Sequence, residues 1–224
     1  MGESESAVFL GNEQVAVWPA GQRIETLGHP AVLGTRFDDT ARYHPRLIAR
    51  ILELAARPRT GKHYFRGAGG TKVHHVDRWN SSEADLLHAR ARELYRRALG
   101  RETAVVDLCW ANVYRAGEYC MPHSHLRATG SVVYFVDNGD DDPEDVLGGR
   151  FFFADSRLPT CCEHEPEKMT TPHFPDSQAG TMLIFPGQLI HSVNPYHGAR
   201  PRITMSWNIN DAALPARAIP EPQA

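Results

Sequence analysis

PHSHLRATGSVVYFV, residues 122–136, places His123 and His125 two positions apart at the mouth of an apolar run. Side chains alternate faces along a strand, so residues i and i+2 project to the same side. Two imidazoles side by side fill a core badly, because each ring nitrogen needs a partner. They hold a metal ion well. The fold therefore hinges on whether the surrounding chain reads as strands that bring a third ligand to this pair.

It does. Beyond Gly100 the runs 103–114, 131–137, 150–154, 181–186, 190–194 and 202–210 are β-rich, separated by turn residues, with no further helix pattern. Many short strands of this kind predict a double-sheet barrel or jelly roll. Upstream, 7–18 and 24–37 read as short strands with turns at Gly11-Asn12 and Pro19-Gly21. Residues 44–57 place Leu47, Ile48, Ile51, Leu52 and Leu54 on a helical stripe that Pro58 ends. The Gly-rich stretch 66–72 reads as a connector. Ser81 or Ser82 then caps a second helix, with Leu86, Leu87, Leu94 and Leu99 as its apolar residues and Gly100 as its stop. The acidic stretch 137–149 reads as a hairpin loop opening with Asn-Gly. The expectation is one domain, mainly β with an N-terminal α/β layer (1–102), a double-stranded β-helix or jelly-roll, cupin-like core (103–212) and a tail (213–224).

Composition narrows the function classes. Apolar residues make up 42 %, charged residues 23 %, and the net charge is -3, which offers no basic patch for nucleic acid. No apolar run is long enough for a membrane helix, and the acidic N-terminus lacks a signal-peptide pattern. A cytoplasmic protein acting on a small molecule, with neither nucleic acid nor membrane as partner, is the expectation. Of the four cysteines, Cys161 and Cys162 are adjacent and with His164 form at most half a zinc site, so they read as reduced thiols.

The best third ligand is His191 in GTMLIFPGQLIHSVNP (180–195), where an apolar strand, a Pro186-Gly187 turn and a new run follow one another. His74 and His75 are adjacent and would face opposite ways; His164, His173 and His197 lie in Pro- or Gly-rich stretches. Three imidazoles suit iron, copper, zinc or nickel better than magnesium or calcium. Three protein ligands leave open positions, as a catalytic centre requires, whereas structural zinc usually closes its shell with four.

WANVYRAGEYCMPHSH (110–125), SVVYFV, GGRFFFADSR, GTMLIFPGQLIHSVNP and RITMSWNIN together resemble the iron(II)/2-oxoglutarate-dependent oxygenases, in particular a bacterial and phage branch with a His-x-His motif. The resemblance is strong in the C-terminal half. It implies a double-stranded β-helix in which His123, His125 and His191 hold Fe(II), with 2-oxoglutarate and dioxygen as cosubstrates. It implies hydroxylation of a C–H bond, with succinate and carbon dioxide released. His125 stands where the wider superfamily more often has a carboxylate, and this exchange makes the site more receptive to anions. In the family's Arg-x-Ser/Thr arrangement, Arg202 and Thr204 would bind the far carboxylate of 2-oxoglutarate, with Arg200 as the fallback. Tyr114 and Asn112 would contact the oxoacid, although Tyr114 equally suits a plain core position. Residues 202, 204, 206 and 208 share one strand face, which also fits a half-buried strand with its polar side in water.

Two rival readings stay open. Gly117 with His123-Ser124-His125, and Pro186 with His191, approximate the two cupin motifs, which would make a three-histidine dioxygenase that needs no Arg202. A metal- or ligand-holding barrel without turnover is the other. Arg127, Arg150 and Arg157 flank the expected mouth and favour an anionic or polar small molecule.

Overall fold

The computed structural model describes residues 7–27, 31–57, 70–140, 144–154 and 173–214. The N-terminal layer contains β1 (Ala7–Leu10), β2 (Glu13–Ala16), β3 (Glu25–Thr26), β4 (Leu33–Arg36), α1 (His44–Ala55), β5 (Thr71–His74) and α2 (Ser82–Leu99). β6 (Val105–Tyr114), β7 (Cys120–His123), β8 (Gly130–Asp137), β9 (Phe151–Phe153), β10 (Thr181–Pro186), β11 (His191–Val193) and β12 (Arg202–Asn210) follow.

From β6 onward the chain alternates between two antiparallel sheets. The larger has the order β3-β4-β10-β8-β12-β6-β5, the smaller β7-β11-β9, extended by a bridge between Phe153 and His173. This alternation is the winding of a double-stranded β-helix. β1 and β2 form a separate hairpin around Gly11-Asn12.

β12 shows why this sequence takes this place. All of its residues are buried, so the strand sits between β8 and β6 with both faces covered. Ile203, Met205, Trp207 and Ile209 face the helices and join Leu47, Ile51, Leu87 and Leu94 in the larger apolar core. Arg202, Thr204, Ser206 and Asn208 face the other way, into the barrel. Inside, Phe135, Phe151, Phe153 and Phe185 pack with Val133 and Leu183 in a second core, which leaves the β12–β6 side of the interior polar. Water does not cover the polar face of β12; the barrel does.

The helices are fixed by local chemistry. Ser81 Oγ accepts the Ala84 N–H at 3.4 Å, Glu83 and Asp85 occupy the first turn of α2, and Gly100 closes it at φ 61°. Arg90, fully buried in α2, donates to both Asp39 carboxylate oxygens at 2.9 and 2.6 Å, to Tyr43 Oη at 3.0 Å and to the Val17 carbonyl at 3.1 Å. It ties α2 to the segments before α1.

Several expectations change. Thr71 and Lys72, read as connector, open β5, which pairs with β6 (Lys72 opposite Asn112); residues 66–69 lie outside the described residues. β7 was not anticipated, because CMPH is short and contains a proline. Leu99 is exposed instead of core. The acidic stretch is not a hairpin loop: β8 lies in the large sheet and β9 in the small one, so the segment crosses between sheets. Cys161, Cys162, His164 and Arg157 lie outside the described residues.

Candidate metal centre

The small sheet brings the histidines together. His123 ends β7 directly opposite His191, the first residue of β11. His125 lies just past β7, not within it as the i, i+2 reading assumed, and the next turn holds it: its N–H donates to the Gly187 carbonyl at 2.6 Å, and its carbonyl accepts the Ala128 N–H at 2.8 Å. Only glycine fits at 187, since a Cβ there would lie 2.0 Å from the Ala128 carbonyl oxygen and 2.6 Å from that of His125. Hence the Pro-Gly turn after β10 is part of the site.

One ligand atom from each of His123, His125 and His191 lies within 4.8 Å of the others. His123 Nδ1 lies 2.8 Å from the Met121 carbonyl and His191 Nδ1 2.9 Å from the Leu189 carbonyl. A carbonyl only accepts, so each Nδ1 carries the proton and each Nε2 keeps a free lone pair. His125 Nδ1 instead lies 3.3 Å from Asn208 Nδ2, whose Oδ1 accepts from Ser131 Oγ at 3.3 Å. Burial lowers the pKa of all three rings, with neighbouring charges adding to it: His125 to about 4 and His191 to about 3. They are neutral at pH 7, the state that binds a metal. The donor set fits a transition metal with open positions.

Next to the imidazoles runs a ladder of polar side chains. Trp110 Nε1 donates to Asn112 Oδ1 at 3.0 Å, and Asn112 Nδ2 donates to Thr204 Oγ1 at 3.2 Å and Ser206 Oγ at 3.4 Å. One rung beyond, Arg202 pairs in register with Tyr114. Its guanidinium carbon lies 5.5 Å from the Tyr114 ring and 5.9 Å from the Phe135 ring, and its Nη1 is buried without a hydrogen-bond partner. A buried, incompletely paired guanidinium is costly. Arg202 also borders a larger cavity of about 490 Å³ beside Gly149, Arg150 and Tyr196. Tyr114 is buried on the histidine side, and desolvation raises its pKa.

The remaining candidates separate. Arg200 is at the surface, paired with Asp137 at 3.4 Å and Asp140 at 2.7 Å, and stays out of the cavity. Arg127 faces Asp107, and Arg150 stacks near Phe174 at the larger cavity. Lys72, Ser131 and Trp110 line the histidine cavity and were missed as site residues. For Lys72 the signal, a lone cation after a glycine run, becomes readable only once β5 is paired with β6.

Residues 108–208 match the profile of the family described as "Putative 2OG-Fe(II) oxygenase". Over this stretch the chain matches the 2OG-Fe(II) oxygenase superfamily. The cofactors of that superfamily, iron(II), 2-oxoglutarate and dioxygen, go with the three-histidine centre. No curated protein matches the sequence. Among solved structures, the protein is similar to AviO1 from Streptomyces viridochromogenes Tue57, at 19 % identity and TM-score 0.54, over 84 % of this chain and 93 % of that one. It is similar to SnoN, an alpha-ketoglutarate-dependent epimerase from nogalamycin biosynthesis, at 15 % identity and TM-score 0.58, over 81 % and 79 %. A prolyl hydroxylase from Trichoplax adhaerens aligns at 15 % identity and TM-score 0.53, over 84 % and 83 %. At these identities the likeness speaks for the fold.

Proposed function

We propose that the oxygenase hydroxylates a C–H bond of a small polar molecule, converting 2-oxoglutarate to succinate and carbon dioxide. His123, His125 and His191 would hold iron(II), through Nε2 in His123 and His191. Arg202 and Thr204 would bind the far carboxylate of 2-oxoglutarate, and Asn112 and Tyr114 would line the path between it and the metal. The observation that carries this reading is the polar ladder: one end is a three-imidazole cluster, the other a buried guanidinium with a bare N–H. A dicarboxylic keto acid has complementary chemistry at both ends. The three-histidine cupin alternative leaves Arg202 without a purpose.

When bound, iron and 2-oxoglutarate supply the oxidising chemistry: one oxygen atom of dioxygen enters succinate and the other enters the substrate. The chain's own residues position and exclude. The Met121 and Leu189 carbonyls orient two rings by holding their Nδ1 protons. Phe151 and Phe185, 5.5 and 4.9 Å from the His191 ring, close one side of the centre against water. The neighbours include enzymes described as a hydroxylase and an epimerase; hydroxylation needs no group beyond those in the ladder.

The test is anaerobic titration of the iron(II)-loaded protein with 2-oxoglutarate, followed by succinate release on admitting oxygen. Binding and succinate formation that both vanish in His191→Ala are expected. Iron retention with no 2-oxoglutarate binding would move the assignment to the cupin alternative.

A further inference from the structure

We propose that Lys72 is a second anion clamp in the barrel, holding an acidic group of the substrate beside the histidine cluster. The proposal rests on the oxygenase reading and names the substrate class of that site: a small molecule bearing a carboxylate or a similar anion.

Placement comes first. Lys72 lies opposite Asn112 on β6, and Asn112 lies opposite Thr204 on β12, so the three share one row across the sheet. Adjacent residues in register project to the same face, and all three line the cavity that holds the histidines. The ammonium sits 5.3 Å from the centre of the Trp110 ring, which itself lies 5.6 Å from the His125 ring. The ammonium of Lys72 thus caps an aromatic ring that borders the cluster, in the cavity the histidines line.

Charge balance comes second. None of the described residues that line the cavity is an Asp or a Glu, and no carboxylate among the described residues pairs with Lys72. The superfamily's more common carboxylate ligand is replaced by neutral His125. The cosubstrate dianion would offset the divalent metal and nothing more, which leaves Arg202 and Lys72 as surplus positive charge. Arg202 is 2 % exposed, deep in the barrel and matched to the cosubstrate, whereas Lys72 is half-buried and open to an incoming ligand. A lysine provides a mobile point charge, suited to an anion that enters and leaves with each turnover.

Only three lysines, Lys62, Lys72 and Lys168, occur in the chain, so the ammonium can be watched directly. The full chain is loaded with zinc(II) as a redox-inert substitute, its lysines are reductively ¹³C-dimethylated, which keeps their charge, and the Lys72 resonance is assigned by its loss in Lys72→Arg. With 2-oxoglutarate saturating, acetate should shift the Lys72 resonance saturably, while acetamide should leave it in place. In parallel, Lys72→Met, which keeps an unbranched side chain without the charge, should bind 2-oxoglutarate within about 2-fold of wild type. Its loss of a charge-assisted hydrogen bond should weaken acetate by roughly 10- to 150-fold, measured by calorimetry. A Lys72 resonance silent to acetate, or moved equally by acetamide, overturns the proposal. So does a Lys72→Met protein that loses 2-oxoglutarate, since Lys72 would then belong to the cosubstrate. If zinc-loaded wild type binds no 2-oxoglutarate, the oxygenase reading falls, and the acetate titration run without it still decides the role of Lys72.

Discussion

Arg202→Met should make the ligand-free protein more stable and the liganded one far weaker, and the two effects separate a binding role from a structural one. In the structure the guanidinium is 2 % exposed, its Nη1 has no partner, and the Tyr114 and Phe135 rings lie 5.5 and 5.9 Å from its carbon. Desolvating such a charge costs several kcal/mol. Two ring contacts return about 0.5–2 kcal/mol each when desolvated. The remainder, about 1–2 kcal/mol, is relieved by methionine, whose volume and flexibility suit the slot. For a chain of this size that corresponds to a melting point about 2–8 °C higher.

For the ligand the sign reverses. Truncating one partner of a buried, hydrogen-bonded charge pair costs about 2–5 kcal/mol, so the dissociation constant of 2-oxoglutarate should rise roughly 30- to 5,000-fold. Differential scanning calorimetry of zinc-loaded wild type and variant, with and without 2-oxoglutarate, reads both quantities at once, since ligand raises the melting point only where it binds. A variant that melts lower than wild type and still responds fully to 2-oxoglutarate would refute the reasoning and make Arg202 a core residue.

Arg90→Met should behave oppositely, losing about 3–5 kcal/mol in urea unfolding, because it strands the Asp39 carboxylate that Arg90 now grips with two hydrogen bonds; a loss below about 1 kcal/mol would show that the network is dispensable. Gly187→Ala should cut metal affinity without unfolding the barrel, as the added methyl pushes on the backbone that seats His125; isothermal titration with zinc(II) in wild type and variant checks it, and equal affinities would sink it. Acid should destabilise the metal-free protein. His125 and His191 have folded pKa values of about 4 and about 3 against 6.5 for an exposed ring, so below pH 6.5 the unfolded state binds protons that the folded state refuses. Their contribution is complete above pH 6.5 and is lost as pH falls toward 3–4, by up to about 1.4 kcal/mol per pH unit for each ring. Urea midpoints at pH 7 and pH 5, with a His125→Gln variant flattening the slope, measure it.

What could be read from the sequence, and what could not, divides along the range of the forces involved. β12 was legible because RITMSWNIN alternates without interruption, and α2 because Ser81 and Gly100 punctuate it; both signals are local. His123, His125 and His191 were legible because their chemistry is too specialised for an ordinary core. β7 and β5 were not, since CMPH and TKVH carry no pattern of their own and are strands only because β11 and β6 offer them partners. The acidic crossover failed for the same reason: Asn-Gly reports a tight turn, while the choice between folding back in one sheet and crossing to the other is made by β11 pairing with β9. Lys72 illustrates the consequence for function. Its cation has no meaning in a Gly-rich connector and acquires one when β5 docks on β6, because that pairing carries it onto the row of Asn112 and Thr204, facing three neutral imidazoles. In this barrel the histidine cluster is written in residue type, and the row of Lys72, Asn112 and Thr204 is written in register.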